Sequence, residues 1–464
     1  MDSSKQMKNV AQDMSNPILD GVIWKQLLLF FFPILLGSFF QQLYNTIDSL
    51  IVGNFVGTSA LAAVGGSTAL IVSTVVGFFT GLSAGAGVII SQHYGAGHAQ
   101  MVSKAVHTAF AFSIIGGIVL SIVGMIWSPA LLRLMNQPED IMADSTLYLR
   151  IYFAGLLFIF IFNSGSGIIR ALGNSRLPLY FLIICSLVNV ALDLILVVGF
   201  QLGVMGVAIA TLLAQAVSAF LVTRTLMKGV AGVCLSLHEL TIDAEILKKQ
   251  LYIGIPSGLQ TIMYSIANML AQTSVNSYGT KTVAGWTADG KIETIFWMMS
   301  GAFGVALTTF VGQNYGAGKK DRVRKATITC LLMMQICTII LSALFVIFAW
   351  PLQSIFTSDQ EALAVGSLLM KTVAPFYIFY SFVEIFSGTL RGIGDVIIPT
   401  LMILTCMCLF RIGWLSLILP RFQELHTIMI MYPITWTLGG ISFILYYAIR
   451  SRKMLMMDEA ENRG

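Results

Sequence analysis

The chain says the same thing twice. Residues 91–97 read Ser-Gln-His-Tyr-Gly-Ala-Gly, and residues 312–318 read Gly-Gln-Asn-Tyr-Gly-Ala-Gly. Gln92, Tyr94, Gly95, Ala96 and Gly97 return as Gln313, Tyr315, Gly316, Ala317 and Gly318, displaced by 221 positions. The same displacement carries Gly167, Arg170, Gly173 and Pro178 onto Gly388, Arg391, Gly394 and Pro399. One displacement that aligns two separate patches marks an internal duplication, so each half must fold as a version of the other.

Composition decides where the halves fold. Hydrophobic residues make up 56% of the chain and charged ones 11%, with a mean hydropathy of +0.83. A soluble domain carries about 25% charge; this chain cannot coat a water-facing surface and must face lipid. Twelve apolar runs fall near 27–53, 61–91, 105–127, 146–169, 177–199, 206–227, 251–276, 284–311, 326–350, 366–390, 396–418 and 428–449. Each is on the order of the ~20 residues a spanning helix needs. They are continuous, whereas strands of a membrane barrel alternate. The predicted fold is an all-α integral membrane protein. Its twelve transmembrane helices form two duplicated six-helix lobes, related by a pseudo-two-fold axis along the membrane normal. Secondary transporters are commonly built from such repeats, with the solute handled between the halves. The expected layout is an N-terminal tail at 1–26, a first lobe at 27–227, a linker at 228–249, a second lobe at 250–450 and a C-terminal tail at 451–464.

The net charge of +5 reflects topology rather than affinity for nucleic acid. With the N-terminus inside, the cytoplasmic segments gather Lys248, Lys249, Lys319, Lys320, Arg322, Arg324, Lys325, Arg450 and Arg452 among many others. The outer loops hold only Arg133, Lys281 and Arg421. Positive charge retained inside fixes orientation, so both termini and the linker are expected in the cytoplasm of a cell-membrane protein. The first apolar run is too long for a cleavable signal and contains a carboxylate. The six cysteines form no Cys-x-x-Cys pair and read as small buried hydrophobes. No histidine spacing suits a metal, and Gly318-Lys319 lacks the Walker spacing. The expectation is a protein without catalytic residues, cofactor or resident metal, acting as a monomer on small molecules within the bilayer.

An ionisable group in hydrocarbon costs about 2.5–3.5 kcal/mol on insertion scales, which makes it a functional candidate. Asp48 in helix 1 and Asp193 in helix 5 lie at similar depth, each a few residues before the outer end of its run. Asn45 is three residues before Asp48 and Asn189 four before Asp193, spacings that share a helix face. These four are the candidate ion-coupling residues. Each aspartate also has a structural alternative, as a cap or hydrogen-bond partner of a neighbouring helix. The second lobe has no counterpart for either acid; its own is Glu384 in helix 10, aligned with Asn163. Glu384 reads equally as a second proton site or a packing partner. Asp289, Lys291 and Glu293 open helix 8, either as charges still in water or with Lys291 projecting into a central cavity. Arg411, deep in helix 11, has no evident partner. Candidate cavity-lining residues are Gln41, Tyr44, Asn163, Lys291, Glu293, Tyr264 and Tyr380. Pro33 and Pro256, at nearly matching places in helices 1 and 7, are candidate hinges, since proline removes a helical hydrogen bond.

The repeated Gln-x-Tyr-Gly-Ala-Gly turn, the patch Thr389-Leu390-Arg391-Gly392-Ile393-Gly394-Asp395, and Asn189 with Asp193 together resemble the multidrug and toxic compound extrusion family. The resemblance spans about 25–450. It implies efflux of organic, often cationic, compounds in exchange for H⁺ or Na⁺. Asp48, and Asp193 with Asn189, match the family's coupling acids of helices 1 and 5, where Na⁺ could also bind. Another branch couples through acids in helices 7 and 10; here those places hold Tyr264 and Tyr380. The alternatives are a lipid-linked oligosaccharide flippase of the same superfamily and an intramembrane prenyltransferase-type enzyme, whose Asp-Asp-x-x-Asp clusters are absent from the sequence.

Overall fold

The computed structural model describes residues 16–461. Among them the chain forms twelve long helices. In the first copy these are α1 (Ile23–Val56), α2 (Thr58–Gly95), α3 (Ala99–Leu134), α4 (Glu139–Ala154 and Leu156–Ala171), α5 (Arg176–Gly199) and α6 (Gly203–Lys228). The second copy has α7 (Ala244–Asn276), then α8 (Thr280–Gly316), α9 (Lys320–Ile347), α10 (Gln360–Gly392), α11 (Ile397–Ile418) and α12 (Leu425–Arg452). Ten of them are long and apolar enough to cross a membrane, and the two arms of α4, bent by 45°, together make an eleventh. The exception, α7, carries Gln260, Tyr264, Asn268 and Gln272 at four-residue spacing. That spacing draws a polar stripe along one helix face. The twelve helices fall on the twelve apolar runs.

The helices group into two compact units. One holds Phe32–Gly258 with the segment ending at Asp20, and the other holds Gly21–Phe31 and the chain from Leu259 onward. The division cuts through α1 and α7, beside Pro33 and Pro256, rather than through the α6–α7 connection. In the first unit the second arm of α4 is the hub, packed on α2, α3 and α6; in the second, α10 holds that place against α8, α9 and α12. Both hubs are broken at aligned positions. α4 bends at Gly155, and α10 passes through a 3₁₀ turn at Ala374–Phe376 that contains Pro375.

The repeated motif is a pair of helix ends. Gly97 and Gly318 adopt φ of 72° and 73°, the left-handed region that a side chain resists. His98 N–H then reaches back to His93 O at 3.1 Å, and Lys319 N–H to Asn314 O at 2.9 Å. This six-residue return closes helices that end in a left-handed residue. Gly173 and Gly394 repeat the pattern, with φ of 95° and 87°.

Within the first unit, α2 and the opening of α7 meet backbone to backbone. A Cβ at Gly254 would stand 2.9 Å from the Cα of Leu82, and one at Gly258 would stand 2.8 Å from the carbonyl of Phe78. Small residues permit this approach, which is how helices associate where no hydrophobic effect separates protein from lipid. The α6–α7 connection is tied to α3. His107 Nδ1 donates to Ser103 O at 2.8 Å while its Nε2 accepts the Ser236 N–H at 3.0 Å. Asp243 N–H reaches Thr108 Oγ1 at 3.1 Å, and the Asp243 carboxylate caps α7 through the N–H groups of Glu245 and Ile246.

Candidate functional sites

The first unit encloses a carboxyl pair. Tyr44 and Asp48 lie four residues apart on α1, and Asn189 and Asp193 four apart on α5, so each helix turns one polar stripe inward. Asn189 and Asp193 are fully buried. Asp48 and Asp193 are close enough to interact directly. Both oxygens of Asp193, Oδ1 of Asp48 and both amide atoms of Asn189 are buried without a hydrogen-bond partner. A buried polar atom left unsatisfied costs about 1–3 kcal/mol, and a proton shared between the two carboxyls would relieve part of that cost. Tyr148 and Tyr152 of α4 stack with ring centroids 6.1 Å apart, and Asp48 acts on both Tyr148 and Tyr44. Tyr44 donates to Thr211 of α6 at 3.5 Å. Both acid-bearing helices leave α-helical geometry just past their acids, as π turns at Val52–Val56 and Leu194–Gly199. Such turns recur at functional sites.

The second unit holds a cavity of about 480 Å³, lined by α7, α8, α10, α11 and α12. Its walls mix aromatic with polar and charged side chains: Trp297 meets Tyr380 edge-on at 4.8 Å and Trp436 at 5.9 Å, and Tyr432 lies 5.9 Å from Trp436. Glu293 lines it and accepts the Tyr377 hydroxyl at 2.5 Å. Asp289, 1% exposed, accepts the Gln353 amide at 3.1 Å. Arg411 lines it as well, held on α11 between two π turns, Leu404–Leu409 and Trp414–Ile418.

The sequence candidates fall out unevenly. Asp48, Asp193 and Asn189 come together, whereas Asn45 and Gln41 are exposed, and no hydrogen bond joins Asn45 to Asp48. The shared-face spacing held for α5, but Asn45 turns away on α1. Asn163 spends its amide on its own helix, donating to Ile159 O at 2.9 Å. Glu384 sits against Gly304 and accepts the Tyr380 hydroxyl at 3.3 Å, while the Tyr264 hydroxyl reaches Met407 Sδ at 2.7 Å. Of the three charges opening α8, Asp289 is buried and not in water. Lys291 is exposed and rests over the Phe356 ring at 5.9 Å, so it does not line the cavity; the cavity's cation is Arg411. Pro33 and Pro256 lie inside helices as expected. Sequence reasoning missed Tyr148, Tyr152 and Thr211 around the acids, and Trp297, Tyr432 and Trp436 around Arg411. Four-residue spacing of Tyr148 with Tyr152, and of Tyr432 with Trp436, was the available signal.

Comparison with known proteins agrees with this architecture. The MatE family model matches residues 33–195 and again 256–414, once in each copy. The probable multidrug resistance protein YpnP of Bacillus subtilis is 32% identical over 381 residues, covering 81% of this chain and 84% of its own. The probable multidrug resistance protein YoeA of the same organism is 28% identical over 399 residues, covering 84% and 85%. Among solved structures, an outward-facing multidrug resistance MATE family transporter of the MOP superfamily aligns with a TM-score of 0.88. It is 22% identical and covers 95% of this chain and 98% of its own; at that identity the likeness is one of fold.

Proposed function

The chain belongs to the MatE family of membrane transporters, and from that premise we propose that it exports organic compounds by exchange for H⁺ at Asp48 and Asp193. Members of the family are transporters rather than enzymes, and the protein is a multi-pass transporter of the cell membrane. One observation carries the coupling assignment: the mutually close carboxyls of half-buried Asp48 and fully buried Asp193, three of whose four oxygens find no hydrogen-bond partner outside the pair. Two carboxyls this close are most stable with a proton or a cation between them. A proton arriving from outside satisfies the orphaned oxygens; a cationic compound arriving from the cytoplasm favours the ionised pair. Each excludes the other, and antiport requires that exclusion. Na⁺ would use the same oxygens, and the Asn189 carbonyl oxygen would be a further ligand. The duplication supports alternating access by two lobes acting as bodies, and the Lys/Arg bias supports cytoplasmic termini.

Purified protein in proteoliposomes, given ΔpH and ΔNa⁺ separately across a panel of cationic dyes, tests the reading. Efflux driven by ΔpH alone, abolished by Asp48→Asn with the protein still monodisperse, is expected. Efflux driven only by ΔNa⁺ would move the assignment to sodium, and undiminished ΔpH-driven efflux by Asp48→Asn would remove Asp48 from the mechanism.

A further inference from the structure

His107 on α3 is buried, at 5% exposure, and its two ring nitrogens have fixed roles. A backbone N–H can only donate, so the Ser236 N–H at 3.0 Å requires a lone pair on Nε2. The single ring proton therefore sits on Nδ1, where Ser103 O accepts it at 2.8 Å. A second proton, on Nε2, would remove the acceptor and set one N–H against another. The contact with Ser236 and a charged ring exclude each other.

What the ring grips is one end of a short strap. On the near side the chain is tied to α6: Val230 and Val233 exchange backbone hydrogen bonds, and Leu235 N–H reaches Leu226 O at 3.0 Å. On the far side Asp243 N–H donates to Thr108 Oγ1 at 3.1 Å, and Lys104 Nζ lies 3.8 Å from the Asp243 carboxylate. Between these ends Leu237, His238 and Glu239 are exposed. The repeated scaffold does not call for this histidine. The displacement of 221 puts Ile328 of α9 at its place, and Ile328 is exposed. Chargeable groups at this end are Lys104 on α3, His93 on α2, Arg170 on α4, His238, Glu239 and Asp243 on the connection, and Glu245, Lys248 and Lys249 on α7. Lys104 lies one turn before His107, a spacing at which like charges repel, and Asp243 offsets it. The hydrogen bonds of the ring go to Ser103 and Ser236 and to none of these.

We propose that His107 is a pH-operated clasp on the chain that joins the two copies. The neutral ring holds Ser236 against α3. As pH falls from about 8 to about 5, the range in which imidazole ordinarily takes up a proton, the Nε2 lone pair is lost and Ser236 is released. Ser236–Leu240 then lifts from α3, while Thr108 keeps the Asp243 end in place. The clasp does not rest on the transport reading. Joined to it, protons carried inward by exchange arrive on the side where this connection is expected, and they loosen it.

The test is electron paramagnetic resonance of a nitroxide at Leu237→Cys, in protein whose native cysteines are replaced by alanine. The protein sits in nanodiscs without gradient or transported compound, so a failed transport assay leaves the result intact. The label is expected to be immobilised at about pH 8 and mobile at about pH 5, and a label at Glu245→Cys is expected to keep one line shape throughout. His107→Gln offers an amide oxygen that accepts the Ser236 N–H and does not titrate, so its Leu237 label should stay immobilised at both pH values. His107→Ala should leave that label mobile at both. An unchanged Leu237 line shape across this range with His107 present overturns the proposal without any further variant. So does a pH transition that survives His107→Gln, which would assign it to His238 or Glu239, and so does equal mobilisation of the Glu245 label, which would mean general loosening.

Discussion

The two copies keep the same helix order around the same hub and differ in their interiors. α5 leaves α-helical geometry at Leu194–Gly199 and α11 at Trp414–Ile418, positions that the displacement of 221 brings nearly into register. The side chains there have nothing in common. Asp193 faces Trp414 across the alignment, Val190 faces Arg411, and Thr211 of α6 faces Tyr432 of α12. One unit thus gathers two acids without a cation, and the other a cation beside two acids, lined by aromatics. The left-handed glycines at helix ends and the breaks in the two hub helices are set by backbone geometry and recur in both copies, whereas the π turns at Val52–Val56 and Leu404–Leu409 belong to one copy each. The side chains inside are set only by what each pocket holds. A duplicated scaffold can therefore divide labour without altering its frame.

Substitutions at aligned or structurally equivalent positions can break that contrast. The largest effect is expected where backbones touch. Gly85→Leu places a side chain into the backbone of α7 at Gly254, and no monodisperse protein should be recovered by size-exclusion chromatography. Recovery of normal protein would mean the approach of α2 and α7 is not fixed. Next is the aligned pair Asp193 and Trp414. Asp193→Asn should strip most ΔpH-driven efflux in proteoliposomes, while Trp414→Phe, which gives up one hydrogen bond to Thr427 O, should transport normally. Equal losses would show that the units do not differ in role. Glu384→Gln should fall between them, because Glu384 already has the Tyr380 hydroxyl. Smaller, and the same in both copies, is the effect of filling the left-handed glycines. Nothing lies within 4 Å of a Cβ at Gly97 or Gly318, so Gly97→Ala and Gly318→Ala should each cost only the backbone strain, about 1–2 kcal/mol, read as matched drops in Tm. Unequal drops would mean the repeated turns are no longer equivalent. The smallest effect belongs to a cap found in one copy. Asp359 accepts the N–H groups of Ala362 and Glu361 at the start of α10, and chiefly the Ala362 bond holds its carboxyl below the usual range. The cap is intact above the ordinary carboxylate pKa and weakens as pH falls through the lowered folded value. Asp359→Ala should lower Tm slightly near neutral pH and leave it unchanged in strong acid.

Most of the frame was legible in the sequence because lipid imposes a length and a polarity that composition cannot hide. The twelve helices fall on the twelve apolar runs, α7 with its polar stripe included. Asp48 and Asp193 were legible for the same reason, since a carboxylate in an apolar run stands out. What surrounds them was not. Tyr148 and Tyr152 look like ordinary apolar residues of α4 until the bend at Gly155 and the packing of three helices bring them to the acids. Lys291 and Arg411 show what sequence position leaves open. Both are cations in or beside spans, and position alone allowed Lys291 either water or a cavity. Helix rotation turns Lys291 out to Phe356 and Arg411 in to Tyr432. Rotation about a helix axis is set by neighbours, and a single helix's sequence records it only faintly when its apolar face is broad.

The placement of the unit boundaries inside α1 and α7 bears on how the protein is made. The first compact unit includes the opening of α7, whose Gly254 and Gly258 close against α2. It therefore remains incomplete on the ribosome until that stretch has entered the membrane, well after α6 has been inserted. The second unit includes Gly21–Phe31, with Phe31 stacked on Phe303 at 4.1 Å, so the earliest part of α1 must wait in the bilayer for a partner synthesised far later. Two genes divided at the α6–α7 connection would encode two polypeptides, neither containing a whole unit. Assembly would have to occur after insertion, by exchange of helix ends between them.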